Sequence, residues 1–203
     1  QMDKRPRQPS SLHPVWAGYL IAQGQSRGVR VCHHRTPDVR IYSLSMPIDV
    51  DAVVLSNTPL SIDYNVLVLA ASSVASRAEP GQFVMIKPDL WDGPLLRRPF
   101  SVFEIIRDKT QQIKGLSLLN KQVGTTTRIL FALKPGDRVR CLGPLGRPFS
   151  VIEPPEQAWM VAGGVGLAPF SMLASVLRKR GVETTLFYGG RSSTDLFHLD
   201  EFR

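Results

Sequence analysis

The stretch that decides the fold is Met160–Phe170, MVAGGVGLAPF. It completes a short apolar strand, AWMVAGG, and leads into an amphipathic segment, LAPFSMLASVLRKRG, which Gly181 closes. A second apolar strand, ETTLFYGG, follows. Strand, helix and strand with glycine at each joint predict a βαβ unit, and therefore a parallel sheet.

The same stretch is a candidate nucleotide-binding turn. Gly164 and Gly166 lie between a predicted strand and a predicted helix, where glycine lets the backbone approach a pyrophosphate and free N–H groups meet its charge. A tight turn without a ligand is the alternative. Pro169 replaces the third glycine of the usual dinucleotide fingerprint, and Glu183 stands too early in the second strand to hold a ribose. A standard Rossmann dehydrogenase is therefore not predicted.

The chain before this unit reads as an antiparallel barrel. Short strands alternate with turn residues in DAVVLSNTPLS, DYNVLVLAA, EPGQFVMIKP, RRPFSVFEIIRD, KGLSLLNKQV and GDRVRCLGPLG, and one helix, TTTRILFAL, interrupts them. We therefore predict a six-stranded antiparallel barrel domain at residues 47–153. The first part of a doubly wound α/β domain follows at residues 154–203.

Three motifs in the barrel can carry chemistry. In LLRRPFSVFEI, Arg98 offers a planar fork for a diphosphate and Ser101 a hydroxyl for a flavin edge, although a surface arginine beside a core Phe100 fits equally. In NKQVGTTTRIL, Gly124 and the threonines give a helix start with free donors, or simply a well-capped helix. The loop LGPLGRPF is either a place where two ligands meet or a rigid linker.

Charge and hydropathy exclude several classes of protein. The net charge is +8, but residues 1–46 hold seven Lys/Arg against two Asp/Glu, so most of the excess lies there. Without interleaved aromatic and basic residues, nucleic-acid binding is not expected. No apolar run approaches the ~20 residues of a membrane span, and we expect a cytoplasmic protein. Residues 1–46 read as a disordered or wrongly started leader, in which His33 and His34 have no partner ligands.

The two cysteines predict neither a metal site nor a disulfide framework. Cys32 and Cys141 lie far apart and match no ligand spacing. We interpret them as reduced structural thiols.

Taken together, the motifs resemble the ferredoxin–NADP reductase superfamily over about residues 50–203. Arg98–Ser101 is similar to the family's R-x-[YF]-[ST] element, and Gly164–Pro169 is similar to its G-x-G-x-x-P turn. Within the superfamily, PGQFVMI, RRPFSV, GDRVRCLGPLG and GGVGLAPF look like the electron-transfer subunits of dihydroorotate dehydrogenase B.

The resemblance implies FAD in the barrel and NAD in the α/β domain, with NADP as the alternative. Electrons would pass between NAD and an FMN-containing dihydroorotate dehydrogenase catalytic subunit through FAD and a [2Fe–2S] centre, in pyrimidine biosynthesis and within a heterotetramer. By resemblance, Ser101 is the candidate catalytic residue, tuning the reactive edge of the flavin. The implied FAD contacts are Arg98, Pro99, Phe100, Ser101, Leu119, Asn120, Lys121, Gly124, Thr126 and Thr127. The implied nucleotide contacts in the α/β domain are Gly163, Gly164, Gly166, Ala168, Pro169, Gly189 and Gly190.

The sequence departs from the family pattern in three places. Thr126 stands where the family usually has glycine, and Asn120 where it usually has tyrosine. The cysteine cluster that would supply about four thiolates to the iron–sulfur centre is absent, so we expect a fragment whose cluster-binding C-terminal part is missing. Arg191 either faces a 2′-phosphate or is solvated, which leaves NAD and NADP both open.

Two other functions stay open at this point. A stand-alone reductase that feeds a ferredoxin or an oxygenase would use the same cofactors with another electron partner. A degenerate module that binds a nucleotide without turnover is the alternative from a different class.

Overall fold

The computed structural model describes residues 46–151 and 157–202. Seven strands form one antiparallel sheet, and two form a parallel pair. The strands are β1 (Ile48–Pro59), β2 (Tyr64–Ala70), β3 (Phe83–Pro88), β4 (Arg98–Ser101), β5 (Glu104–Arg107), β6 (Ile113–Lys121), β7 (Arg138–Leu145), β8 (Gln157–Gly163) and β9 (Glu183–Gly189). The helices are α1 (Ser72–Ala75), α2 (Thr125–Ala132) and α3 (Ala168–Lys179).

The large sheet is a curled, barrel-like structure with the strand order β4-β3-β7-β1-β2-β6-β5. Alternating side chains of its strands point inward, as in β3, where Val84 and Ile86 are fully buried. The same alternation places Leu67 and Leu69 of β2 in the core. Burial of these aliphatic side chains, worth about 1.5–3 kcal/mol each, stabilises the curled sheet.

The predicted antiparallel barrel is confirmed, but the large sheet has seven strands instead of six. RRPFSVFEIIRD, predicted as one strand, contains both β4 and β5, because the chain turns at Val102 and Phe103. The Val102 N–H donates to Gln82 O at 3.0 Å, and the Phe103 N–H donates to Ser117 O at 2.9 Å. This crossing segment therefore joins the two edges of the curled sheet.

The predicted βαβ unit is also confirmed. Strands β8 and β9 pair in parallel, from Gln157 with Glu183 to Gly163 with Gly189. Helix α3 covers one sheet face, where Phe170 and Ala174 pack on a buried core with Met160. Two basic residues lie in its last turn, where they favourably meet the helix dipole.

A small apolar cluster joins the barrel to the α/β unit. Phe103 and Leu119 from the barrel pack with Leu167 and Ala168 at the start of α3, and all four are buried. In addition, the loop that was predicted to be either a ligand-meeting place or a linker extends to Phe149. Its ring stacks on the ring of Phe170 with centroids 6.0 Å apart. These contacts hold the two parts against each other.

Of the cysteines and histidines discussed above, only Cys141 lies among the described residues. Cys141 lies on β7 and is fully buried, and burial raises the pKa of its thiol to about 12. It therefore stays a neutral, unreactive core side chain at physiological pH, as predicted. Cys32, His33 and His34 lie outside the described residues.

Candidate functional site

The glycine turn between β8 and α3 is a single 3₁₀ turn, Gly164–Leu167, that runs directly into the helix. Gly164 has φ +52°, and a Cβ added there would lie 2.8 Å from the hydroxyl oxygen of Tyr64. Glycine is thus required at this position by both backbone conformation and space. Pro169 lies at the start of α3, where the helix needs no N–H.

The other predicted glycines of this turn leave open space beside the backbone. A Cβ added at Gly166 or Gly189 would meet nothing within 4 Å, and one added at Gly163 would meet only Gly189 O at 3.8 Å. Because β8 and β9 are parallel, Gly163 and Gly189 end at the same sheet edge. The first turn of α3 contains no acidic residue. This arrangement suits the close approach of a phosphate group to backbone donors.

Gly190 differs from its neighbours because its small size is needed for packing. A Cβ there would come within 2.8 Å of the Cβ of Asp195. Ala168 is likewise buried, in the cluster between the barrel and the α/β unit. The predicted nucleotide contacts of these two residues stay predictions.

Tyr188 supports the turn, and the sequence analysis missed it. Its hydroxyl lies 3.3 Å from Gly164 O and 3.2 Å from Asp195 O, both acceptors. Burial raises the pKa of Tyr188, so the hydroxyl keeps its proton and remains a donor. Its position one residue before the Gly189-Gly190 pair was the signal available in the sequence.

On the barrel side, the two neighbouring arginines differ in their partners. Arg97 forms a bidentate pair with the Asp49 carboxylate, at 3.0 and 2.7 Å, which holds the pKa of Asp49 below its usual value. Arg98 is exposed and makes no ion pair within the described residues. Pro99 is also exposed, whereas Phe100 packs against the barrel core. Arg98, which was predicted to bind diphosphate, is therefore the arginine of the two that has no carboxylate partner among the described residues.

Ser101 ends β4, opposite Phe83 of β3. It is half-buried and lies two residues before Phe103, which packs on Leu167 and Ala168 at the start of α3. The chain thus leads directly from the candidate flavin-tuning hydroxyl to the contact between the barrel and the glycine turn.

The start of helix α2 offers a second set of free backbone donors. Helix geometry leaves the N–H groups of Thr125, Thr126 and Thr127 without intrahelical acceptors. The Thr127 hydroxyl oxygen accepts the N–H groups of Val123 and Gly124, at 2.9 Å each. Gly124 is extended, and a Cβ added there would meet nothing within 4 Å. With no acidic residue in the first turn, this helix start can receive an anion.

The three predicted contacts on β6 have side chains that are engaged within the protein. Leu119 lies in the cluster between the two parts, and Asn120 is buried among polar partners. The Lys121 ammonium donates to the Tyr64 hydroxyl at 2.7 Å and lies 3.6 Å from the Asp63 carboxylate. Their predicted contacts with FAD stay predictions.

Next to Lys121, a cleft of about 310 Å³ lies between the barrel and the segment after β9. Its lining includes Asp63 of the β1–β2 turn and, from the segment after β9, Arg191 and Asp195. The Arg191 guanidinium lies 3.3 Å from Asp63 and 3.5 Å from Asp195. Arg191 therefore already has two carboxylate partners, which the sequence analysis did not foresee.

Two classes of site are not found in the described parts of the chain. Within residues 46–151 and 157–202, no group of three or more His, Cys, Asp or Glu is placed to hold a metal ion. Among the helices described there, none has the length and apolarity required to cross a membrane.

Comparisons with known proteins agree with this geometry. The family model for the oxidoreductase NAD-binding domain matches residues 160–203, which contain the glycine turn. The electron transfer subunit of dihydroorotate dehydrogenase B (NAD(+)) from Geobacillus thermodenitrificans is 39% identical over 138 residues, which are 67% of this chain and 52% of that protein. The corresponding subunit of Bacillus velezensis is 37% identical over 152 residues, which are 74% and 58% of the two chains. The chain thus spans about half the length of these curated relatives.

Solved structures give the same picture. An NADH-dependent reduced ferredoxin–NADP oxidoreductase, studied for flavin-based electron bifurcation, aligns with a TM-score of 0.64 and 29% identity, covering 75% of this chain and 52% of that one. A cytochrome P450 reductase from Amycolatopsis aligns with a TM-score of 0.63 and 27% identity, covering 77% of this chain and 47% of that one. Both combine similarity in sequence with similarity in fold.

Proposed function

Because this chain belongs to the ferredoxin–NADP reductase superfamily, we propose that it is the FAD- and NAD-binding part of an electron-transfer flavoprotein. One observation carries the proposal. Two open, donor-rich backbone sites, at Gly124 and at Gly166, lie on the two packed parts of the molecule, and neither has an acidic residue in the adjacent helix turn. Each suits the phosphates of one dinucleotide.

The barrel residues fit FAD. The free guanidinium of Arg98 and the N–H groups at the start of α2 would hold the pyrophosphate, and Gly124 leaves room for its approach. The Thr126 side chain is buried, so at this position the backbone N–H would make the contact. The Ser101 hydroxyl would hydrogen-bond to the polar edge of the flavin ring.

The α/β residues fit a nicotinamide dinucleotide. The backbone at Gly163, Gly166 and Gly189 would receive its phosphates, and the Tyr188 hydroxyl holds the turn in place through Gly164 O. When bound, FAD supplies hydride exchange with the nicotinamide and one-electron exchange with the electron partner. The protein's part is to place the two dinucleotides and to exclude water from between them.

NAD is favoured over NADP by the surroundings of Arg191. A 2′-phosphate at this residue would have to compete with the carboxylates of Asp63 and Asp195, which already flank the guanidinium. The additional phosphate charge would lie close to both carboxylates, and like charges repel.

For the electron partner we propose the catalytic subunit of a dihydroorotate dehydrogenase. The support is the name of the relatives, which are electron transfer subunits of dihydroorotate dehydrogenase B (NAD(+)). No group of metal ligands is found among the described residues. A [2Fe–2S] centre in this pathway would therefore be held by other residues.

The test is reconstitution of the purified chain with FAD, followed by anaerobic addition of NADH. Retained yellow colour after desalting, and its bleaching by NADH in preference to NADPH, support the proposal. Arg98→Ala should weaken FAD binding about tenfold, corresponding to one charge-assisted contact of roughly 1.4 kcal/mol. A folded chain that retains no FAD would contradict the proposal and leave the non-catalytic nucleotide-binding module.

A second experiment separates the two electron partners. The NADH-reduced protein is mixed either with an FMN-containing dihydroorotate dehydrogenase subunit or with a [2Fe–2S] ferredoxin. Reduction of the ferredoxin alone would favour the stand-alone reductase.

A further inference from the structure

Three asparagines, two of them buried and Asn57 half-buried, form a ladder across neighbouring barrel strands. Asn65 of β2 lies directly opposite Asn120 of β6. On its other side Asn65 pairs with Pro59 of β1, and Asn57 lies two residues before Pro59 on the same strand. Asn65 and Asn120 are 0% and 1% exposed. Buried amides of this kind are costly unless they are hydrogen-bonded, so their partners show what the ladder does.

The ladder holds both ends of helix α2. The Asn120 amide donates to Asn65 Oδ1 at 2.8 Å and to Thr127 O, in the first turn of α2, at 3.0 Å. Asn65 in turn donates to Asn57 Oδ1. The Asn57 amide lies within hydrogen-bonding distance of three carbonyl oxygens at the end of α2, the nearest being Leu133 O at 2.8 Å.

The Asn120 side chain is oriented by the two hydrogen bonds that its amide N–H groups donate. Its Oδ1 is buried and has no hydrogen-bond partner among the described residues, an arrangement that costs free energy. The amide nevertheless directs its N–H groups at Asn65 and Thr127. Thr127 is also the residue whose hydroxyl accepts the N–H groups of Val123 and Gly124. The ladder therefore connects directly to the helix start that offers free donors.

We propose that the Asn57–Asn65–Asn120 ladder positions the start of α2 for binding the pyrophosphate of FAD, with Asn120 as the principal positioning residue. The inference rests on the proposed function, since it takes the α2 start as the pyrophosphate site. Asn120 acts through Thr127 and not by touching the flavin. Displacement of a helix start by a fraction of an ångström misaligns backbone donors that must converge on one phosphate.

The test measures FAD affinity of the purified chain by quenching of flavin fluorescence, together with its unfolding midpoint. Asn120→Leu keeps the approximate size and removes both donors. Asn57→Ala releases the far end of α2 and removes the acceptor of the Asn65 amide, but it leaves the bonds of Asn120 to Asn65 and Thr127 in place. Val139→Ala, at a fully buried core position on β7, is the matched control for a general loss of stability. All affinities are measured well below the lowest unfolding midpoint.

Asn120→Leu should raise the Kd for FAD about tenfold and Asn57→Ala about threefold, while Val139→Ala leaves it unchanged at a comparable loss of midpoint. If Asn120→Leu does not fold, Asn57→Ala against the same control decides the question. Asparagine variants whose Kd equals that of the control would show that the ladder is only structural. A wild-type chain that binds no FAD would overturn the proposed function, and this inference with it.

Discussion

The barrel and the α/β unit contribute the two halves of one proposed site, but they are stabilised in different ways. The barrel surrounds its own core, and internal hydrogen bonds such as Asn120 to Thr127 O hold the start of α2. The α/β sheet is covered by α3 on one face only within the described residues. On the other face Trp159, Val161 and Phe187 are 45%, 64% and 51% exposed.

The difference makes the nucleotide turn dependent on the barrel. Gly164 lies against the buried Tyr64 hydroxyl, and Leu167 packs on Phe103. Tyr64 is also in ring contact with Phe197, beyond β9, with centroids 4.9 Å apart. The barrel therefore supplies its own half of the site and also the surface on which the other half is positioned.

The largest effect is expected when the barrel itself is disrupted, because the α/β unit depends on it. A Cβ at Gly115 would lie 1.8 Å from Leu69 O on the neighbouring strand, a clash with the backbone that no rotamer change relieves. Gly115→Ala should lose more than about 4 kcal/mol, and the α/β unit should lose its structure with the barrel. Circular dichroism during thermal unfolding measures both.

The matched control for this change is Gly136→Ala. Gly136, unlike Gly115, has a positive φ, +98°, and a Cβ there would meet nothing within 4 Å, so only backbone strain of about 1–2 kcal/mol is expected. A Gly115→Ala protein as stable as the control would show that β2 and β6 do not approach as closely as described.

The contact between the two halves is tested by Gly164→Ala. The added Cβ meets the Tyr64 hydroxyl and requires an unfavourable φ, so the turn must move. We expect NADH-dependent flavin reduction to fall about 100-fold, with a loss of roughly 1–2 kcal/mol in stability. Stopped-flow absorbance measures the first and thermal unfolding the second.

A second substitution shows whether Tyr64 causes the effect. Tyr64→Phe removes the oxygen that the new Cβ would contact, so the double variant should recover part of the reduction rate. No recovery relative to Tyr64→Phe alone would mean that the backbone conformation, and not the barrel contact, determines the loss.

Gly166→Ala tests the proposed nucleotide site without disturbing the contact between the barrel and the α/β unit. The site is open, so the free energy of unfolding should stay within about 0.5 kcal/mol of wild type. The methyl group would occupy the space proposed for a phosphate, and we expect the Kd for NADH to rise about tenfold. Unchanged NADH binding, measured by titration, would remove Gly166 from the proposed site.

These glycines also show how far the sequence could be interpreted. The spacing predicted the strand–turn–helix unit around Met160–Phe170 correctly, because apolar periodicity and glycine position depend on local sequence. It could not distinguish Gly164, which is constrained by a tyrosine 100 positions away, from Gly166, which faces open space. That distinction depends on tertiary contact.

The asparagine ladder was beyond prediction for the same reason. Asn120 was interpreted as a departure from a family tyrosine, whereas its partner Asn65 is 55 positions away and Asn57 contacts carbonyls 73 to 76 positions away. The break between β4 and β5 was missed because Val102 and Phe103 are as apolar as the strands around them. Hydropathy alone does not show where one strand ends and the next begins when the residues between them are apolar.

The smallest expected effect distinguishes the two adjacent arginines of the barrel. Arg97 holds the pKa of Asp49 below its ordinary value of 3.8, chiefly through their hydrogen bonds. Between the lowered pKa and the ordinary one, the unfolded chain binds more protons than the folded chain. The stabilisation is therefore fully present above the ordinary value and is lost as the pH falls through the pKa of the folded protein. For a partly exposed pair it is worth about 0.5 kcal/mol.

Arg97→Ala should accordingly lower the free energy of unfolding by about 0.5 kcal/mol at neutral pH, and the difference from wild type should vanish towards strongly acidic pH. Arg98→Ala should show no such pH-dependent difference, because Arg98 has no carboxylate partner among the described residues. Urea unfolding across a pH series measures both. If the two variants behaved alike, the division between one structural and one ligand-directed arginine would be wrong, and the barrel half of the site would lose its free guanidinium.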